Sequence, residues 1–507
     1  TTVSSATVTN LLFRTTYYLR VRATNSFGDS AYSTTLAATV IPSVVDNGID
    51  LIVPAGSTYT LAGSRSYTNS VVVNGTLLVS PLNGTASGFL ELSAPLVHVS
   101  AGGVLSADGA GFLSGQGPGA GYTTSAGPFS DGGGGGGGGF GGNGGVGDRF
   151  HATSGESYGS VTQSLDMGSG GGAINGILGG RGGGRIRITA NTIRVDGRVS
   201  AEGLNGAENV GSNFRVAGGG GAGGAVRLAA STLEGSGAIA ADGGASVSPD
   251  REGGGGSGGR IVATFNSSTF NGTVSARGGV GWQQGGAGTA VYGGELRVEN
   301  TAPGAVTTIP SGSYSFDTVR IATNAVVELT SAAAVTAATL IVEGPALLNL
   351  YIGAIDAQQV DVRSGARLRY AAGSLTATGL AVSSSAVFTL NKNLSLSQMS
   401  VLAGGLVTHE TTETGFDLSV SGTLTVEAGG RVSAAGVGHP SLQGPGAGYL
   451  VNAGQFDGQR GGGGGGYGGL GGAADRFHAL SGATYGSLTQ PSDLGSGGGT
   501  ANGNAGG

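Results

Sequence analysis

From about residue 300 onward the chain is built from short runs in which Val, Ile, Leu and Thr alternate with polar or small residues. Residues 316–330 read FDTVRIATNAVVELT, 337–350 AATLIVEGPALLNL, 357–370 AQQVDVRSGARLRY and 377–390 ATGLAVSSSAVFTL. A period of two places one set of side chains on one face, as a half-buried strand requires, and the three-to-four period of a helix is missing. Each unit is a strand, a tight turn and another strand, with Gly or Asn-Ala at the turn where a positive φ is wanted. The units recur about every twenty residues. One unit cannot bury its apolar face, whereas stacked units can, each strand pairing with its equivalent about 4.8 Å above and below. The pattern predicts an all-β fold, a right-handed parallel β-helix or β-solenoid.

The same ladder appears earlier, at 188–203 (ITANTIRVDGRVSAEG), 228–243 (LAASTLEGSGAIAADG) and 262–278 (VATFNSSTFNGTVSARG). Each of these is introduced by a glycine tract: GGGRIRI, GGAGGAVRL and GGSGGRIVA. The arrangement resembles the glycine-rich parallel β-helices of large bacterial surface and secreted proteins, some of them adhesins. The resemblance spans roughly residues 45–507 and implies architecture rather than activity.

The first stretch differs. Leu11, Leu12, Phe13 and Arg14 precede Thr16, Tyr17, Tyr18, Leu19, Arg20, Val21, Arg22 and Ala23, then Asn25, Gly28, Ser30 and Ser33. This resembles the last two strands of a fibronectin type III domain, with Tyr18, Arg20 and Arg22 on one face and Leu19, Val21 and Ala23 on the other. Two strands cannot close a seven-stranded sandwich, so the rest is expected upstream or from another chain.

A longer repeat contains the short one. QGPGAGY occurs at 116–122 and again at 443–449, and the same offset of 327 carries Asp148-Arg149-Phe150-His151-Ala152 onto Asp475-Arg476-Phe477-His478-Ala479 and Tyr158-Gly159-Ser160 onto Tyr485-Gly486-Ser487. No insertion or deletion is needed. The expected organisation is a fibronectin-like part at 1–43, a glycine-rich solenoid at 44–300, regular coils at 301–416 and a second glycine-rich copy from 417 to 507, with the natural chain continuing beyond it.

Composition narrows the function. The 507 residues include 109 Gly, 13 Pro and no Cys, only 11% are charged, and the formal net charge is −6. Low charge with a mean hydropathy of +0.13 argues for folded structure rather than a disordered linker. The only lysine is Lys392, and no basic stripe exists to neutralise phosphates, so nucleic-acid binding is not expected. The absence of Cys removes disulfides, thiolate metal sites and cysteine nucleophiles. No apolar run reaches the ~20 residues that a membrane span needs.

The glycine runs at 132–139, 218–221, 253–256 and 461–466 read either as flexible spacers or as ordered tracts. Fixed spacing between the two copies favours order, because a spacer seldom needs fixed length. Glycine chains form extended threefold helices that pack side by side through backbone hydrogen bonds. Such polyglycine-II-like insertions resemble those of some phage tail-fibre adhesins and glycine-rich antifreeze proteins. A phosphate cradle is not expected, since neither a Walker lysine nor a strand-GxGxxG-helix unit is present.

Candidate chemistry is sparse. Asp242, Asp250 and Glu252 are expected near one loop and Asp356 and Asp361 on successive strands, but solvated faces explain both groups better than catalytic pairs. His151 and His478 match across the repeat without a second histidine nearby, which fits structural hydrogen bonding better than a metal site. Trp282, in GGVGWQQGG, is either a sugar-stacking ring or a plug over the glycine layer. Calcium nonapeptides do not recur; GGAGTAVYG at 285–293 lacks the Asp. Asn74, Asn83, Asn266, Asn271 and Asn393 stand in Asn-x-Ser/Thr sequons.

No catalytic, metal-binding or cofactor-binding residue is assigned. The interaction surface, where there is one, is expected at Tyr122, Phe150, His151, Tyr158 and Trp282, with Tyr449, Phe477, His478 and Tyr485 in the second copy. The sequence therefore points to an extracellular, cell-surface or secreted structural protein, a rod or filament that self-associates or continues along a longer chain. A carbohydrate-binding adhesin for cell-surface glycans is the alternative, and a polysaccharide lyase or hydrolase on a β-helix is the third.

Overall fold

The computed structural model describes residues 8, 11, 15–39, 43–84, 87–122, 134–148, 153–209, 215–248, 252–410, 417–449, 462–473 and 480–500. These are organised into two compact units, 1–308 and 309–507. The described residues form β-strands and irregular extended chain, with no α-helix.

In the second unit the alternation becomes two columns of parallel strands. One column stacks Gly312–Ala322, Ala333–Glu343, Ala354–Arg363, Ser374–Val382, Leu394–Val401 and Leu418–Val426. The other stacks Val326–Leu329, Leu347–Leu350, Arg367–Tyr370, Val387–Leu390, Leu406–Thr408 and Arg431–Val432. Register keeps like on like: Leu340, Val360, Leu380 and Met399 form one ladder and Val327, Leu348, Leu368, Phe388 and Val407 another, all buried. Each fully buried aliphatic side chain contributes about 2 kcal/mol. The step from Ala334 to Ala354 to Ser374 is 20 residues each time, which is the period in the sequence. This stacking is compatible with a β-solenoid.

The turns between strands take left-handed φ, as expected, but not only at Gly and Asn. Ser384 and Ser385 sit at φ 52° and 65°, and Thr323 precedes Asn324 at 42° and 65°. Such backbone costs a residue other than Gly about 1 kcal/mol, and these tight turns impose it on Ser and Thr as well.

In the first unit the main column stacks Asp50–Val53, Ser70–Val73, Phe89–Val99, Arg185–Val195, Ala225–Glu234, Arg260–Ser268 and Thr289–Tyr292 in parallel. Leu90, Ile186, Val226, Ile261 and Ala290 face one another in successive coils, at intervals of 96, 40, 35 and 29 residues. The residues beyond a minimal coil are the glycine tracts, which leave the coil before re-entering it. A second column, Thr76–Val79, Val104–Ser106, Arg198–Ser200, Ala238–Ala240 and Thr273–Ser275, closes the core with Leu77, Leu105, Val199, Ile239 and Val274 in register.

At the N-terminus Thr16–Leu19 pairs antiparallel with Leu36–Thr39, and Thr24–Asn25 with Gly28–Asp29. On the face that alternation assigns to a core, Leu19 is half-buried but Val21 is 71% exposed.

Candidate functional site

The most unusual construction in the molecule is the glycine layer. Along residues 135–140 successive backbone N–H groups point to three different neighbours and return to the first after three residues. Gly135 and Gly138 donate to the carbonyls of Ala217 and Gly220, Gly136 and Gly139 to Tyr122 and Gly119, and Gly137 and Phe140 to Gly145 and Gly142. The tract at 218–224 repeats the scheme. Gly218, Gly221 and Gly224 donate to Ala207, Leu204 and Ala201; Gly219 and Ala222 to Gly172 and Ser169; Gly220 and Gly223 to Gly254 and Ser257. Gly254 and Ser257 then donate back to Gly135 and Gly138, which closes a triangle of three tracts.

Rotation of the N–H by a third of a turn per residue is the geometry of a three-residue extended helix. It differs from a strand, whose amides alternate between two sides. The glycine tracts are thus an ordered lattice. Glycine is required by closeness of approach: a Cβ on Gly254 would lie 1.7 Å from the Gly145 carbonyl oxygen, and one on Gly180 1.8 Å from that of Leu204. Along 135–140 and 218–224 every amide reaches a carbonyl, which buried backbone demands.

A few side chains tie this lattice to the coils. Arg260, fully buried, donates from Nη2 to the carbonyls of Tyr158 (2.7 Å) and Phe140 (3.3 Å), from Nε to Tyr158 O (3.1 Å) and from Nη1 to Thr289 Oγ1 (3.0 Å). Its guanidinium carbon lies 5.5 Å from the centre of the Phe140 ring. Phe140 packs on Tyr158 with centroids 4.9 Å apart, beside Ala222 and Ala225. Phe140, Arg260 and Ser169 were not singled out from the sequence. The repeat held a signal for two of them, since the offset of 327 also carries Phe140 onto Tyr467 and Ser169 onto Ser496.

The residues anticipated as an interaction surface fall into different settings. Tyr158 is half-buried, with its hydroxyl donating to the Met167 carbonyl and accepting from Ser169 Oγ at 2.9 Å. Burial, only partly offset by Ser169, pushes its phenol well above the ordinary value of 10. Tyr485 repeats this with Leu494 and Ser496, its ring 5.0 Å from Tyr467. Both tyrosines occupy packing positions. Tyr122 and Tyr449 are 63% and 57% exposed, and Tyr122 edges a groove of about 740 Å³ lined also by Pro118, Thr153 and Glu156. Trp282 is half-exposed, with its amide held by the Gly253 carbonyl. Phe150, His151, Phe477 and His478 lie outside the described residues.

The acidic residues serve local structure. Asp242 accepts from Ser275 Oγ (2.5 Å) and the Arg277 amide (2.6 Å); Asp356 and Asp361 lie on one strand, Ala354–Arg363, and not on successive ones, because the strand runs unbroken through both positions, with Asp361 accepting from Gln359 (2.8 Å) and Asp356 exposed. Asp250 lies outside the described residues. Among the described residues no group of three or more His, Cys, Asp or Glu is arranged to hold a metal ion, and no helix is long and apolar enough to cross a membrane. No protein-family model, curated protein or solved structure matches the chain.

Proposed function

We propose that the chain is an extracellular structural repeat protein: a right-handed parallel β-helix, preceded by the last strands of a fibronectin type III-like sandwich, that forms a stiff rod or filament. The observation that carries this reading is the triangle of hydrogen bonds linking the tracts at 135–140, 218–224 and 254–259. Such a lattice uses backbone alone and offers stiffness without a reactive group, and its outer tracts are lateral faces on which similar chains pack. Electron microscopy of the natively secreted material is the test. Extended fibres with a regular axial repeat are expected; compact single particles would overturn the reading.

A second reading, a carbohydrate-binding surface adhesin, is favoured by exposed Tyr122 beside its groove and by half-exposed Trp282, since aromatic faces at a polar rim stack on sugars. Saturable glycan binding without turnover, lost in Tyr122→Ala, would put it first.

A further inference from the structure

The segment 158–165 runs across the outer face of the main column in the first unit, held by one arginine from each of three successive coils. Arg185 Nη1 donates to the Leu165 carbonyl (2.6 Å), Arg227 Nη1 to that of Gln163 (2.9 Å) and Arg260 Nη2 to that of Tyr158 (2.7 Å). A fourth arginine stands on the same face without such a role. Alternation turns Ile186 and Ile188 into the core and Arg185 and Arg187 outward. Arg187 is half-buried, and its guanidinium makes no hydrogen bond or ion pair among the described residues.

Register sets Arg187 between Glu91 on one side and Arg227 on the other. Strands in such a stack are about 4.8 Å apart, so Arg187 and Arg227 are like charges side by side. Glu91 does not offset them, because its carboxylate accepts from Arg185 Nη2 (3.1 Å) and Ser64 Oγ (2.9 Å). Asp166, next to the covering segment, lies against Gly159, where an added Cβ would stand 2.5 Å from its Oδ2. Arg227 gives Nη1 to Gln163 and keeps Nη2 without an acceptor among the described residues. On a chain of net charge −6 this is a local excess of positive charge with open donors.

The same face shows what such donors take. Glu91 is a carboxylate held by one arginine and one hydroxyl. One coil further on, Arg187 and Arg227 repeat the arginines, and Thr189 and Ser93, exposed and paired in register two residues along, supply hydroxyls about 7 Å away. The carboxylate itself is what this second place lacks. We infer that Arg187, with Arg227, is a binding site for an acidic polysaccharide: one uronate carboxylate lies on the paired guanidinium groups, and hydroxyls of the same sugar chain lie on Ser93 and Thr189. A planar carboxylate matches the guanidinium fork, and the hydroxyl row beside it suits a sugar polymer better than a lone anion. The inference stands apart from the filament reading and from the Tyr122 groove, which shares none of these residues.

The test titrates the full chain against a fluorescent hyaluronan oligosaccharide, followed by anisotropy, beside the same oligosaccharide with its carboxyl groups reduced to alcohols. Saturable binding of the acid form alone is expected, weakened at least about tenfold by Arg187→Gln. Arg187→Lys should restore only part of it, because an ammonium group lacks the fork. Thermal midpoints should stay unchanged in both variants, since Arg187 holds no other group among the described residues. Phenylglyoxal, which modifies accessible guanidinium groups, gives a readout on the unmutated chain: Arg187 should be labelled in the free protein and protected by the oligosaccharide. The inference is overturned by no binding, by binding that survives carboxyl reduction, by an equal loss in Arg367→Gln, an exposed arginine of the second unit, or by equal binding of an oligothymidylate of the same charge. Fibre formation bears on none of these outcomes, so the two readings fail separately.

Discussion

Ser169 donates its hydroxyl to the phenol oxygen of Tyr158 at 2.9 Å, and 327 residues later Ser496 does the same to Tyr485 at the same distance. The chain of donors is directional: the Gly119 amide to Ser169, Ser169 to Tyr158, Tyr158 to the Met167 carbonyl. In the second copy it runs from Gly446 through Ser496 and Tyr485 to Leu494. The phenol must stay protonated to pass the chain on.

Tyr158→Phe should therefore cost about 1–2 kcal/mol at neutral pH, the cost of leaving Ser169 and Met167 short of a partner. The pH dependence has a definite sign. Because the folded phenol titrates above the ordinary value of 10, its contribution is complete below pH 10 and is lost as pH rises through the folded value. Denaturant midpoints from pH 8 upward should fall more steeply for the native protein than for the variant. Parallel curves would contradict the assignment.

Within the lattice, Gly254→Ala should be among the most damaging single methyl additions, since its Cβ would stand 1.7 Å from the Gly145 oxygen. Overpacking of this kind costs about 1–3 kcal/mol. Calorimetry against Gly469→Ala, where nothing lies within 4 Å, checks it, with little change expected in that control.

Removing the buried guanidinium is the third case. Arg260→Met keeps length but deprives the Tyr158 carbonyl of its donor and leaves the Phe140 carbonyl with the Tyr158 amide alone, at a cost of about 3 kcal/mol. Hydrogen exchange should quicken first at 134–148 and 153–160, while the coil core around Ile261 stays protected. Uniform quickening would mean that Arg260 holds the coils rather than the glycine layer.

Glu202 supplies an acid-side counterpart. Burial pushes its carboxyl above the ordinary value against the pull of Arg198, and nearby Asp108 and Asp242 add to the rise. A raised carboxyl contributes stability fully below its unfolded value and loses it as pH climbs through the folded one. Glu202→Gln should therefore gain stability relative to the native protein between about pH 4 and pH 7, seen in urea midpoints at both. A difference that does not grow with pH would contradict this.

The stacked strands were legible because their cause is local. Leu340, Val360, Leu380 and Met399 alternate with polar neighbours at a steady interval, and burial follows from that alone. The glycine layer was legible as a question, since identical tracts serve as spacers or as lattice according to what surrounds them. Arg260 was not legible at all: one arginine after GGSGG resembles Arg185 after GGG, yet Arg185 is partly exposed and pairs with Glu91. Only three-dimensional closure distinguishes them. Tyr158 misled for the opposite reason, because an aromatic among glycines looks exposed until Phe140 and Arg260 close over it.

The threefold rotation along each tract gives the lattice a reading frame. Inserting one glycine into 135–139 would turn every later amide by a third of a turn, away from its own neighbour and onto the next, so that the whole remaining tract would be out of phase. Three inserted residues would restore the phase and merely lengthen the tract. Length here is constrained modulo three, much as codons constrain a gene, and this accounts for the two copies keeping their spacing to the residue while the strands beside them have diverged.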